Sequence, residues 1–152
     1  MIIREARKEE STIIADIWLM SMRNAHYGFK ETYWTKQYKS IKIKYSQARS
    51  DIYVYEDGGV ILGFGAFVRD YKGVRIFIMP GYQRKGIGTT LLNFFEQNYD
   101  DFYCRCYKQN KAGIYFLVNR GYDITEKRKN VDSAEEEYVF KKEKKQTAPA
   151  SL

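Results

Sequence analysis

The sequence predicts an α+β domain. Three features carry that expectation: two β-rich runs joined over Asp57-Gly58-Gly59, a strand that turns at Pro80-Gly81 and passes through glycines into an amphipathic helix, and a further strand, helix and two closing strands. Hairpins and helix crossovers in one short chain read as α+β. At 152 residues the chain has the size of one domain, and its 44% hydrophobic and 16% aromatic content suffices for one core. No repeat or linker divides it, so residues 1–141 read as the domain and 142–152 as a flexible basic tail without periodicity.

Ile2 to Ala6 alternates weakly and opens the domain as a strand. After Lys8-Glu9-Glu10-Ser11, the apolar residues Ile13, Ile14, Ile17, Trp18 and Met22 recur at helical spacing. From Asn24 to Gln47 the chain is aromatic and basic with less regular periodicity, and reads as one or two short helices with a loop. Asp51 to Glu56 and Val60 to Val68 are rich in β-formers and flank the Asp-Gly-Gly turn as a hairpin. Val74 to Met79 is the next strand, ended by a proline that cannot donate and a glycine that lets the chain turn. A helix follows from Ile87 to Asn98, with Leu91, Leu92, Phe94 and Phe95 on its buried side. Phe102 to Tyr107 reads as a strand, Lys111 to Arg120 as a helix, and Tyr122 to Lys127 and Glu137 to Lys141 as closing strands joined across Asn130-Val131-Asp132-Ser133.

Composition narrows the function classes. No segment approaches the ~20 apolar residues that span a bilayer, and Met1-Ile2-Ile3-Arg4-Glu5-Ala6 lacks an export signal, so the expectation is a cytoplasmic protein with no membrane partner. Cys104 and Cys106 leave one face of a single extended segment, a poor arrangement for pairing with each other, and read as reduced thiols. With His26 as the one histidine and no Cys-x-x-Cys spacing, no metal site is expected. The net charge of +7 suits nucleic acid, a membrane surface or an anionic small molecule, since all three respond to the same field. A nucleic-acid-binding reading rests on that charge and on the interleaved Lys and Tyr residues of 36–45. No recognisable module accompanies them, and this reading ranks last.

The stretch Ile76-Phe77-Ile78-Met79-Pro80-Gly81-Tyr82-Gln83-Arg84-Lys85-Gly86-Ile87-Gly88-Thr89-Thr90-Leu91-Leu92 carries the chemistry: strand, turn, glycine-rich loop, helix. Glycines at the mouth of a helix let the backbone approach an anion, and the helix's first free N–H groups and its dipole point at that anion. A pyrophosphate is the natural guest, and Arg84 and Lys85 add positive charge at the same spot. The spacing fits neither Gly-x-x-x-x-Gly-Lys-Ser/Thr nor the dinucleotide fingerprint Gly-x-Gly-x-x-Gly.

Here the chain resembles the GNAT superfamily of N-acetyltransferases, whose acetyl-CoA signature Gln/Arg-x-x-Gly-x-Gly/Ala is matched at every fixed position by Gln83-Arg84-Lys85-Gly86-Ile87-Gly88. The likeness extends along the whole chain, to the helix that begins at Asn110 and ends in Gly121-Tyr122. Ile3-Arg4-Glu5-Ala6, with His26 and Tyr33-Trp34, is similar to small bacterial members that include protein lysine acetyltransferases. The resemblance implies a mixed, mostly antiparallel central sheet flanked by helices, and transfer of the acetyl group of acetyl-CoA to a primary amine on a protein, peptide or small molecule. It implies that the strand backbone at Ile76, Phe77 and Ile78 holds the acetyl and pantetheine portion. The loop amides of Arg84 to Thr89 take the pyrophosphate, and Asn110 contacts the pantetheine arm or orders the site. Homodimers are common among such folds.

Two positions depart from the family pattern. Where a tyrosine commonly serves as proton donor to the thiolate stands Leu117, and Tyr115 should face away from it, about 200° around the helix. Where a glutamate is often the base stands Arg105, which cannot accept a proton at physiological pH. His26 and Tyr107, the latter on the strand face of Arg105, are the candidate proton carriers. Tyr33 and Trp34, within an aromatic cluster with Tyr27, Phe29 and Tyr38, are the candidate acceptor contacts. The alternative to an enzyme is an acyl-CoA-binding domain of the same fold without turnover.

Overall fold

The computed structural model describes residues 1–26, 29–131 and 133–142. Among those residues the chain forms seven strands, the central ones rich in β-branched and aromatic residues: β1 (Ile2–Glu5), β2 (Ser50–Asp57), β3 (Val60–Val68), β4 (Gly73–Ile78), β5 (Tyr103–Tyr107), β6 (Asp123–Lys129) and β7 (Glu136–Lys141). They form one sheet in the order β1-β2-β3-β4-β5-β7-β6. Every neighbouring pair is antiparallel except β4 with β5. The hairpin turns through Gly58 and Gly59, both at positive φ (59° and 82°), as the Asp-Gly-Gly signal requires.

Among the described residues four helices cover the sheet. α1 (Ser11–Ala25), entered by a short 3-10 turn at Lys8–Glu10, and α2 (Glu31–Lys44) pack on one face. α3 (Ile87–Asn98) and α4 (Lys111–Asn119) pack on the other. On the first face Ile14, Ile17, Trp18, Met22, Trp34 and Ile41 meet Ile52, Val54, Phe64, Ala66, Phe77 and Tyr107. On the second, Leu92, Phe95 and Leu117 meet Val74, Cys104, Cys106 and Phe140. A bulge in β3 breaks the alternation: Tyr55 pairs with Gly63 and Glu56 with Ile61. Leu62, left between them, turns to the α3 face and packs with Ile87 and Leu91.

Several boundaries differ from expectation for identifiable reasons. The stretch read as one or two short helices is a single 14-residue helix, α2, after a break before it. Its weak periodicity reflects a narrow buried stripe: of its residues only Trp34 and Ile41 are fully buried, seven apart, while Lys36 and Lys39 are exposed. Ile13, expected in the core, is 44% exposed, and Ala15 takes the interior position instead. Tyr27 and Asp132 lie outside the described residues, as do 143–152 of the expected tail. Lys142, assigned to that tail, has its Nζ 3.1 Å from Glu96 Oε2 on α3. Among the described residues no helix is long and apolar enough to cross a membrane.

Candidate active site

β4 and β5 meet at a single register pair, Gly73 with Tyr103, where the Tyr103 amide donates to the Lys72 carbonyl at 2.9 Å. Beyond that pair the strands part, while β4 stays hydrogen-bonded to β3 from Gly73 to Ile78. The backbone groups of β4 that point away from β3 therefore face a gap inside the sheet. The gap holds a cavity of about 120 Å³, walled by Ile76 and Phe77 of β4, Arg105 and Tyr107 of β5, and Asn110 and Phe116 at α4. Asn110 caps α4, its Oδ1 accepting from the Gly113 amide at 3.0 Å. Gly113 is where the backbone must come close, since a Cβ there would lie 2.8 Å from both Asn110 Nδ2 and Cys106 Sγ.

Beyond the end of β4, α3 begins after its N-cap residue Gly86 with no side-chain cap. Its first-turn N–H groups have no intrahelical acceptor, and Gly86, at φ 83°, would direct a Cβ into space with no atom within 4 Å. Arg84 also adopts positive φ (62°), and both Arg84 and Lys85 are exposed. Gly88 serves a different purpose: a Cβ there would stand 3.2 Å from Ile78 Cδ1 and 3.6 Å from Phe116, so it lets α3 seat closely on β4 and α4. Ile87 buries its side chain with Leu62 and Leu91 and offers only its backbone to the loop. Gln83 Oε1 accepts from Asn24 Nδ2 at 3.3 Å, which ties the loop to the end of α1. An uncapped helix start, unfilled by side chains and flanked by two cations, fits an anionic group.

His26, the residue after α1, is buried. Its Nδ1 is 2.8 Å from the Met22 carbonyl and so carries the proton, which leaves Nε2 as a lone pair that is buried and has no partner among the described residues. Burial lowers its pKa against the raising effect of the Met22 bond, and the Arg75 charge lowers it further. The ring lies 5.1 Å from that of Tyr107 and 5.5 Å from those of Phe29 and Trp34. Tyr107 accepts a hydrogen bond from Ser133 Oγ at 3.2 Å, and its hydroxyl is 3.3 Å from that of Tyr33. His26 and Tyr107 both line the gap, so the structure brings the two candidate proton carriers together. Leu117 is buried and Tyr115 is 71% exposed, which leaves no hydroxyl at that point of α4.

A second cavity of about 380 Å³ opens on the α1–α2 face, and Tyr33 and Trp34 line it. Trp34 is also a core residue, 2% exposed. Met22, Arg75 and Tyr107 border both cavities, so the two adjoin. Sequence reasoning missed Asn24, Lys44, Arg75 and Ser133. Only Arg75 carried a signal, as the single charge inside the apolar strand Val74 to Met79.

The family model of the acetyltransferase (GNAT) domain matches residues 48–124, from the approach to β2 into β6. The chain belongs to this family: it is a GNAT N-acetyltransferase with acetyl-CoA as its acetyl donor. Among curated proteins it is similar to the peptidyl-lysine N-acetyltransferase YiaC of Escherichia coli (strain K12), with 28% identity over 124 residues, 82% of this chain and 84% of that protein. Among solved structures, apo YjaB from Escherichia coli matches with a TM-score of 0.78 at 18% identity, over 93% of this chain and 97% of that one. The PaiA N-acetyltransferase from Thermoplasma acidophilum, solved in complex with coenzyme A, matches with a TM-score of 0.72 at 18% identity, over 94% and 98% of the two chains. At those identities the structural likeness is one of fold.

Proposed function

We infer that this enzyme transfers the acetyl group directly to a primary amine of a protein, peptide or small molecule, through the gap between β4 and β5. The observation that carries the reading is the start of α3, which has no side-chain cap, leaves open space at Gly86, and is seated by Gly88 against Ile78 of β4 and Phe116 of the gap wall. Gln83, Arg84, Lys85, Gly86, Ile87, Gly88 and Thr89 form the pyrophosphate cradle, chiefly through backbone amides, with Gln83 tying it to Asn24 of α1. The open edge of β4 at Ile76, Phe77 and Ile78 offers backbone partners to an extended pantetheine arm, and Asn110 orders the opposite wall by capping α4. Tyr33 and Trp34 wall the acceptor side. The peptidyl-lysine activity of YiaC favours a lysine side chain among the amines.

Acetyl-CoA, when bound, supplies an acetyl group activated as a thioester. Transfer makes the amide C–N bond and breaks the C–S bond; the amine loses one proton and the sulfur gains one. Neutral His26, with its lone pair at Nε2, accepts the amine's proton, and the Tyr107 hydroxyl is the donor on the sulfur side. His26→Ala should then lower kcat about 100-fold while leaving acetyl-CoA affinity intact. The primary test is calorimetry of acetyl-CoA binding to the wild type and to Gly86→Glu, which sets a carboxylate in the cradle. Binding by the wild type and its loss in a variant with a cooperative thermal transition supports the cradle; no binding to the wild type overturns it.

A further inference from the structure

Three cations gather where the two cavities meet. Lys44 ends α2 and lines the larger cavity, Arg75 borders both, and Arg105 lines the gap. Arg75 and Arg105 each lie two residues beyond the Gly73–Tyr103 pair, at matching positions of the two strands where these part, and both side chains turn to the α1–α2 face beside Phe77 and Tyr71. The Arg105 guanidinium lies 3.9 Å over the Tyr71 ring and that of Arg75 is 5.4 Å from the Phe77 ring. None of the three pairs with a carboxylate among the described ion pairs. Arg105 Nε is buried without a hydrogen-bond partner among the described residues.

The acids nearby do not balance them. Glu137 lines the larger cavity, but its Oε1 is 3.3 Å from Arg128 Nε and its Oε2 accepts from Asn130 Nδ2 at 3.3 Å. Asp70 stands exposed at the rim. Burial lowers the Lys44 pKa, and the like charges of Arg75 and Arg105 add to that against Tyr71 and Asp70. Cations collected at a half-buried wall without counter-ions are costly in the free protein, and an anion arriving with a ligand relieves that cost. The cavity's volume of about 380 Å³ is that of a small-ligand pocket.

Resting on the acetyl-transfer reading above, we propose that the acceptor is an amine that also carries a carboxylate, held by Arg75 and Lys44 beside the gap, with Arg105 adding to the positive field. The carboxylate comes either from a free amino acid or from an acidic residue next to a peptidyl lysine. Cationic polyamines are poor acceptors on this account, because they bring further positive charge to the same wall.

Both tryptophans of the chain, Trp18 and Trp34, line the cavity, so its occupancy is read by intrinsic fluorescence without turnover. Two matched pairs are titrated: lysine against lysinamide, and acetyl-Asp-Lys-amide against acetyl-Asn-Lys-amide. The expected result is a saturable change with at least about tenfold tighter binding of the carboxylate member in one or both arms. The arm that discriminates identifies the source of the carboxylate. Lys44→Met, which touches only the larger cavity, should erase the preference with acetyl-CoA binding by calorimetry unchanged, while Arg75→Met should erase the preference too and Arg75→Lys retain part of it. Equal affinity within both pairs, or no saturable change in either, overturns the proposal. Failure of the wild type to bind acetyl-CoA overturns the acetyl-transfer reading instead, while the carboxylate preference stands or falls on the fluorescence alone.

Discussion

His26 holds its neutral form by being buried, 3% exposed, with one ring nitrogen committed to the Met22 carbonyl and the other unpaired. Its pKa lies below the usual 6.5, chiefly through burial, and this fixes how stability responds to pH. Above pH 6.5 the ring is neutral in both folded and unfolded chains, and its contribution to stability is complete. As pH falls below 6.5 the unfolded chain takes up the proton first, so stability is lost, at a slope of up to about 1.4 kcal/mol per pH unit, until pH passes the folded value. Urea unfolding between about pH 7.5 and about pH 5.5 should show a larger loss for the wild type than for His26→Gln; parallel losses would mean the ring charges as easily folded as unfolded. His26 was legible in the sequence as the chain's one histidine and Tyr107 as a neighbour of Arg105 on a strand face. Their ring contact across 5.1 Å was not, because it joins the end of α1 to β5.

At the scale of elements, glycines decide how closely helices seat on the sheet. Gly65 of β3 faces α3, where a Cβ would lie 2.3 Å from Phe95 Cε2. Phe95 is fully buried and has no room to retreat. Gly65→Ala should therefore destabilise by about 1–3 kcal/mol and lower the thermal midpoint by several degrees, although alanine is otherwise the better-ordered residue. A circular-dichroism melt that left the midpoint unchanged would show that α3 can shift outward. The helix α3 and the loop before it were readable because their signal is local: glycines, then apolar residues at helical spacing, within one stretch from Gln83 to Asn98. α2 was harder to read, since only Trp34 and Ile41 bury fully and its remaining pattern is that of a solvated face with aromatic edges. The bulge at Leu62 left no trace in the sequence, because Val60 to Val68 reads as one unbroken β-rich run and only pairing with β2 reveals the extra residue.

For the whole molecule, the two thiols report on the integrity of the α3–α4 core. Cys104 and Cys106 both point into it, unpaired and buried, and burial pushes both up to about 12. Neither should react with iodoacetamide at about pH 8 in the folded state, and the alkylation rate should rise with urea in step with global unfolding. Rapid labelling in native buffer would instead reveal that β5 opens locally toward the gap. That the two thiols share one face was foreseeable from their spacing of two in a strand, whereas their burial depended on which sheet face the helices cover.

The sequence by itself determined the α+β class, the hairpin, the glycine loop at the head of α3, the membership its signature announced, and the two positions, Leu117 and Arg105, that depart from the family pattern. Those are properties of short windows, where spacing and backbone propensity act without distant partners. Only the tertiary structure decided that β4 and β5 part after one register pair, that two cavities join at Arg75 and Tyr107, and that Lys44 and Arg105 stand near Arg75. Those features arise from segments 30 or more residues apart meeting across a packed sheet, and no local pattern encodes where such segments meet.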